Sequence, residues 1–114
     1  MKRSFWMVVC GMLLVVLTAA PLIAADPIKV GIVDCYTGPP STYTNDVRDA
    51  FQLACDKINA KGGVLGRKIE FTTRDSKFKV DLGLSAAKEL IMREKVNLLM
   101  GTINSAEALA ISDL

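Results

Sequence analysis

The chain has 114 residues with a formal net charge of +2, and 51% of its residues are hydrophobic, a somewhat high share for a soluble domain. The absence of histidine excludes any mechanism that needs an imidazole base or an imidazole metal ligand from this chain. No metal site is expected, and zinc in particular is unfavoured, because its only soft ligands beyond the apolar amino end are the two dispersed cysteines Cys35 and Cys55.

The apolar excess lies at the amino end of the chain. Two basic residues open the sequence, an uncharged apolar run follows, and small residues precede Asp26, an order typical of a secretory signal peptide. We predict that residues 1–25 are this signal peptide and that cleavage follows Ala25. The alternative is a retained membrane anchor, because the 22 uncharged residues from Ser4 to Ala25 could just span a bilayer.

The charge of the rest of the chain is balanced. Without the two basic residues of the predicted signal peptide, the remaining Lys and Arg side chains equal the 12 Asp and Glu side chains in number. A balanced charge gives no electrostatic reason to expect binding to nucleic acid or to an anionic membrane surface.

Strand and helix patterns alternate after the predicted signal peptide. A nearly continuous apolar run predicts a buried strand of a parallel sheet over Ile28–Asp34. Apolar residues at helical spacing then predict a helix over Thr44–Ala60, which Gly62 and Gly63 end. The predicted buried stripe of this helix comprises Val47, Ala50, Phe51, Ala54 and Ile58.

The same alternation continues to the end of the sequence. The further predicted elements are a strand over Arg67–Arg74, a helix over Asp81–Glu94, a strand over Val96–Met100 and a helix from Ser105 onward. The predicted buried residues of the second helix are Leu82, Ala86, Leu90 and Ile91.

The order β-α-β-α-β-α predicts an α/β fold with a doubly wound parallel sheet, right-handed crossovers and the first strand in the middle of the three. In such sheets ligands bind beyond the carboxyl ends of the strands. Three predicted loops meet at that edge, over residues 35–43, 75–79 and 101–105. A ligand site is therefore expected among them.

The third of these loops carries the most informative chemistry. Gly101 lets the chain turn away from its strand, and Asn104 with Glu107 three residues later forms a capping-box pattern at a helix start. The hydroxyls of Thr102 and Ser105, together with free N–H groups of the first helical turn, would suit a carboxylate. The alternative is that Asn104 and Ser105 only satisfy their own helix.

The two cysteines of the predicted mature chain are not expected to form a disulfide. Cys35 follows the first strand, whereas Cys55 lies about ten residues into the next helix, or about 15 Å along its axis. A disulfide needs its two Cα atoms within about 7 Å. We therefore predict two free thiols, with Cys55 a small core residue.

Several ordered motifs resemble one known family. They are TGP followed by Tyr43, the helix end INAKGG, the turn and strand VLGRKIE, Asp75 at the end of the second strand and Gly101 opening the third loop. This set resembles the amino end of type I periplasmic substrate-binding proteins, the leucine/isoleucine/valine-binding family of ABC importers. The resemblance covers residues 28–114.

The resemblance implies a two-lobed protein that closes on its ligand, of which residues 26–114 would form the truncated first part of lobe 1. It implies ligand contacts from Tyr43, Ser105 and Thr102. The chain departs from the family pattern at Thr44, where glycine is usual, and just after Ser105, where hydroxyl residues are common. A small amino acid or an amide is therefore the expected ligand.

The resemblance further implies a monomeric periplasmic protein that binds its solute without chemistry and without a cofactor, and delivers it to an ABC permease. A ligand-sensing domain of a membrane signalling receptor would share the same fold and is the alternative. An enzyme is not expected, because the sequence shows no glycine-rich phosphate loop, no nucleophile elbow and no paired catalytic carboxylates.

Overall fold

A computed structural model describes residues 25–114. The predicted signal peptide lies outside the described residues except for Ala25. The elements are β1 (Ile28–Asp34), α1 (Ser41–Ala60), β2 (Ile69–Asp75), α2 (Val80–Met92), β3 (Leu98–Met100) and α3 (Ser105–Ser112).

The three strands form one parallel sheet in the order β2-β1-β3, which confirms the predicted topology. Strand β1 pairs with β2 along its whole length, from Ile28 opposite Ile69 to Asp34 opposite Asp75. Strand β1 is buried from Val30 to its end because it has neighbours on both sides and apolar side chains on both faces. The register sets two aspartates side by side at the carboxyl edge.

The core lies between β1 and α2. Val33, Ala87 and Leu90 form a fully buried cluster. Four partly buried side chains pack around this cluster, namely Ala86, Val96, Leu99 and Ile111.

The inner face of α1 differs from the predicted stripe. The predicted residues Val47, Ala50, Ala54 and Ile58 are exposed. Thr44 and Cys55 are buried instead. Residues 44, 48, 51, 55 and 59 make up the face that is turned inward, so the buried face is rotated by about one position from the apolar pattern.

Specific contacts to polar side chains explain this rotation of α1. The hydroxyl of Thr44 donates to the carbonyl of Cys35, and the Asn59 amide pairs with both backbone groups of Ile69 at 2.8 Å. Phe51 keeps its predicted inward position, edge-on to Phe71 with ring centroids 5.0 Å apart.

Helix α2 also turns a different face inward from the one predicted. Leu90 is buried as predicted, but the other two buried residues are Gly83 and Ala87, while Leu82 and Ile91 are exposed. Small residues at positions 83 and 87 allow close packing of the helix, and a count of apolar side chains overlooks them.

The two glycines that end α1 act as predicted. Gly62 and Gly63 both have positive φ, and the N–H of Gly63 reaches back to the carbonyl of Ile58 at 3.0 Å. Cys35 and Cys55 are both buried and free, in agreement with the predicted absence of a disulfide between them. No helix among residues 25–114 combines the length and the apolar character needed to cross a membrane.

Truncation of Leu90 tests the assigned core. Leu90 is fully buried, so Leu90→Ala in the full-length protein should lower the free energy of unfolding by about 2 to 5 kcal/mol, measured by urea denaturation. Met92→Ala is the matched control on the same helix, because Met92 is 74% exposed, and it should change stability by less than about 0.5 kcal/mol. Equal losses for the two variants would contradict this core.

Candidate functional site

The carboxyl edge of the sheet is held together by the side chain of Asp34. Its Oδ1 atom accepts hydrogen bonds from the N–H of Cys35 at 2.8 Å and the N–H of Ile103 at 3.1 Å. Asp34 ends β1, and these two donors belong to the loops that follow β1 and β3. One carboxylate therefore fixes the first loop against the third.

Asp75 does the same for the first and second loops. Its Oδ1 atom accepts from the N–H of Tyr36 at 3.0 Å and from the N–H of Lys77 at 2.9 Å. Burial alone would raise the pKa of Asp75, but these two backbone donors, the Thr37 hydroxyl and the charge of Lys77 together lower it. Asp75 is thus an ionised anchor for both loops.

The first loop is closed by its own polar groups. The Sγ–H of Cys35 donates to the carbonyl of Thr37 at 2.8 Å. Tyr36 is half-buried beneath Arg48, whose guanidinium carbon lies 5.7 Å from the ring centroid. Burial first, and then the charges of Asp34 and Asp75, raise the pKa of Tyr36 to about 12 despite the opposing effect of Arg48. Tyr36 therefore remains a neutral phenol at physiological pH.

Tyr43, the first of the three predicted ligand contacts, lies in the first turn of α1 rather than in the loop before it. The helix starts earlier than predicted, and the N–H of Tyr43 donates to the carbonyl of Pro40 at 3.1 Å. Its side chain is 71% exposed at the edge where the three loops meet. The ring is therefore accessible to a ligand.

The predicted cap at the start of α3 is present, but only half of the capping box forms. The Asn104 side chain accepts from the N–H groups of Ala106 and Glu107, at 3.1 and 3.4 Å. The N–H of Asn104 itself donates to the Thr102 hydroxyl at 3.3 Å and not to Glu107. Two amides that were expected to be bare are thus already bonded.

Ser105 keeps the properties that the prediction required. It is the first residue of α3, its side chain is exposed, and its N–H is not taken by the cap. Thr102 is half-buried, its hydroxyl oxygen accepts from the N–H of Asn104, and its hydroxyl lies beside the Glu107 carboxyl. The start of α3 therefore offers fewer free hydrogen-bond donors to a ligand carboxylate than predicted.

Gly101 determines how the third loop leaves β3. Its φ is +119°, and a side chain here would overlap the backbone carbonyl of Val33. Only glycine combines this conformation with so close an approach to β1. The predicted role of Gly101 in turning the chain is confirmed.

Glu107 is the residue whose position the sequence did not reveal. Its side chain turns inward from the first turn of α3, is 0% exposed and lies directly over Gly83 of α2. Neither of its carboxyl oxygens has a hydrogen-bond partner of normal geometry among the described residues, and the buried hydroxyl of Ser76 is likewise unpaired there. The hydroxyls of Ser76 and Thr102 are the polar groups beside it.

Burial is the main cause that raises the pKa of Glu107 above its ordinary value of 4.5. The neighbouring hydroxyls of Ser76 and Thr102 lower it less than burial raises it, and the charge of Asp34 raises it further. Glu107 is therefore a buried acid whose ionisation is harder than that of an exposed glutamate.

Glu107→Gln should make the stability of the full-length protein less dependent on pH. The folded chain holds the Glu107 proton more tightly than the unfolded chain, whose pKa is near 4.5. This contribution is fully present below the unfolded pKa and is lost as the pH rises through the folded pKa. Urea denaturation between about pH 4.5 and pH 8 should thus favour the variant increasingly over wild type. Asp113→Asn, an exposed position at the other end of α3, is the control. A difference in the free energy of unfolding between Glu107→Gln and wild type that stays constant with pH would contradict the raised pKa of Glu107.

Comparison with known sequences places the chain in one family. The periplasmic binding protein family profile matches residues 27–114. The Leu/Ile/Val-binding protein BraC3 of Rhizobium johnstonii is 35% identical over 98 residues, covering 86% of this chain and 26% of the relative. The Leu/Ile/Val-binding protein homolog 7 of Brucella suis is also 35% identical over 98 residues, covering 84% and 23%.

Solved structures agree with the sequence comparison. The branched-chain amino acid transporter substrate-binding protein LivJ of Streptococcus pneumoniae, in complex with isoleucine, gives a TM-score of 0.69 at 30% identity over 75% of this chain and 24% of that one. A solute-binding protein of an ABC transporter from Rhodopseudomonas palustris, in complex with benzoate, gives a TM-score of 0.66 at 27% identity. That match covers 76% of this chain and 24% of the other chain.

The chain spans about a quarter of the length of these relatives. Its parallel sheet and flanking helices correspond to the first part of one lobe of a two-lobed protein. With the profile match over nearly all of the described residues, this chain belongs to the type I periplasmic binding protein family.

Proposed function

We propose that the protein bearing this chain is an extracytoplasmic solute-binding component of an ABC importer. It binds a small amino acid or its amide without covalent chemistry and delivers it to a membrane permease. Residues 1–25 serve as its cleaved signal peptide, and the protein works in the periplasm as a monomer. The matches to Leu/Ile/Val-binding proteins support this role.

The observation that carries the proposal is the open start of α3 at the carboxyl edge of the sheet. The N–H of Ser105 is not used by the helix cap, and its hydroxyl is exposed beside it. The positive end of the helix dipole and these two donors favour a negatively charged group. The carboxylate of an amino acid is such a group.

The ligands of two related structures share this chemistry. LivJ of Streptococcus pneumoniae holds isoleucine and the Rhodopseudomonas palustris protein holds benzoate, and both of these ligands carry a carboxylate. We assign the head group to the start of α3, and the remainder of the ligand to the exposed ring of Tyr43. We also assign Thr102 to the head-group site, at its half-buried side next to Glu107.

Ser105→Ala should weaken binding of the cognate ligand to the full-length protein by about 1 to 3 kcal/mol, because a hydroxyl bonded to a charged carboxylate is lost. Isothermal titration calorimetry with leucine, isoleucine, valine, their amides and benzoate measures this change. Ser112→Ala, at the other end of α3, where the hydroxyl donates to the Leu109 carbonyl at 2.7 Å, is the matched control. Unchanged affinity in Ser105→Ala would remove this hydroxyl from the site.

A further inference from the structure

The buried acid Glu107 shares the first turn of α3 with Ser105, the proposed head-group contact. Glu107 points into the protein while Ser105 faces outward, so the two side chains lie on opposite sides of the same helix start. The N–H groups of this turn create the positive potential that an anionic ligand would use. A negative charge on Glu107 would weaken this positive potential from the buried side of the turn.

The position of Glu107 is built into the packing of α2 against α3. The Glu107 carboxyl occupies the space that a Cβ on residue 83 would fill, so any side chain there would require Glu107 to shift. The buried carboxyl therefore forms part of the contact between α2 and α3.

Groups from four parts of the fold surround the Glu107 carboxyl. The described neighbours are Asp34 of β1, Ser76 after β2, Gly83 of α2 and Thr102 after β3. Asp34 alone among them is charged, and it already accepts two backbone N–H groups. A second negative charge here would be buried, would lack a cation and would face an existing carboxylate, three conditions that all disfavour ionisation.

We propose that Glu107 controls the affinity of the head-group site for anions: when protonated it allows an anion to bind at the start of α3, and its ionisation weakens that binding. This inference rests on the proposed function, since it takes the start of α3 as the site of the ligand carboxylate. Linkage makes the effect reciprocal, so a bound carboxylate must also strengthen the hold of Glu107 on its proton.

The test compares ligands with and without a carboxylate across pH in the full-length protein. The probes are L-isoleucine and benzoate, each paired with the alcohol in which a hydroxymethyl group replaces the carboxylate. Wild-type affinity for the two carboxylates should fall by about tenfold or more between pH 5 and about pH 8, because an ionised Glu107 in the same helical turn would repel the bound carboxylate. Affinity for benzyl alcohol, which is uncharged, should stay constant, and affinity for the amino alcohol, which keeps its ammonium group, should not fall.

Two variants separate Glu107 from other acids. Glu107→Gln should bind the carboxylates with an affinity that no longer falls with pH. Asp81→Asn, which removes an exposed acid from the first turn of α2, should keep the wild-type pH profile. An unaltered pH profile in Glu107→Gln would overturn the inference and leave the proposed function standing. Absence of binding by every variant to every probe would instead contradict the proposed function, and this inference with it.

A measurement on the wild-type protein avoids any folding defect of the variant. Carbon-13 NMR of glutamate carboxyl groups should show Glu107 titrating above the other glutamates in the ligand-free protein. Saturation with L-isoleucine should move its midpoint upward by about one pH unit or more, the counterpart of the tenfold change in affinity. An unmoved midpoint in the saturated protein would overturn the inference.

Discussion

The carboxyl edge of this sheet depends on two aspartates that each accept two backbone N–H groups. Strands β1 and β2 are parallel and in register, so Asp34 and Asp75 stand side by side where the strands end. Two carboxylates in this arrangement repel each other, and charge-assisted hydrogen bonds from Cys35, Ile103, Tyr36 and Lys77 compensate. The same bonds fix the three loops relative to one another, which a site built on loops requires.

The start of α3 shows how one helix end is divided between structure and ligand. Asn104 takes two of the free amides for the helix itself, and Asp34 takes the amide just before the cap. Ser105 is left facing outward with its N–H and hydroxyl, while Glu107 faces the interior with no cation beside it. When Glu107 is protonated, it does not reduce the positive potential that an anionic ligand would meet at this turn. The packing of α2 against α3 and the chemistry of the proposed site thus depend on the same side chain.

The sequence revealed most of the fold because its signals were local. The apolar run of β1, the glycines that end α1 and the alternating order predicted the strands, their parallel pairing and the central place of β1. The inner faces of the helices could not be predicted in the same way. Thr44 and Asn59 point inward because each bonds to a backbone group of a neighbouring element. Gly83 faces inward because the Glu107 side chain packs against it. These reasons exist only in three dimensions, as does the inward turn of Glu107.

Gly83 and Glu107 are consequently coupled through packing. A Cβ at 83 would meet the Glu107 side chain rather than fixed backbone, so a substitution there would have to displace the acid. A change on α2 would in this way alter the start of α3 without touching that helix's outer face.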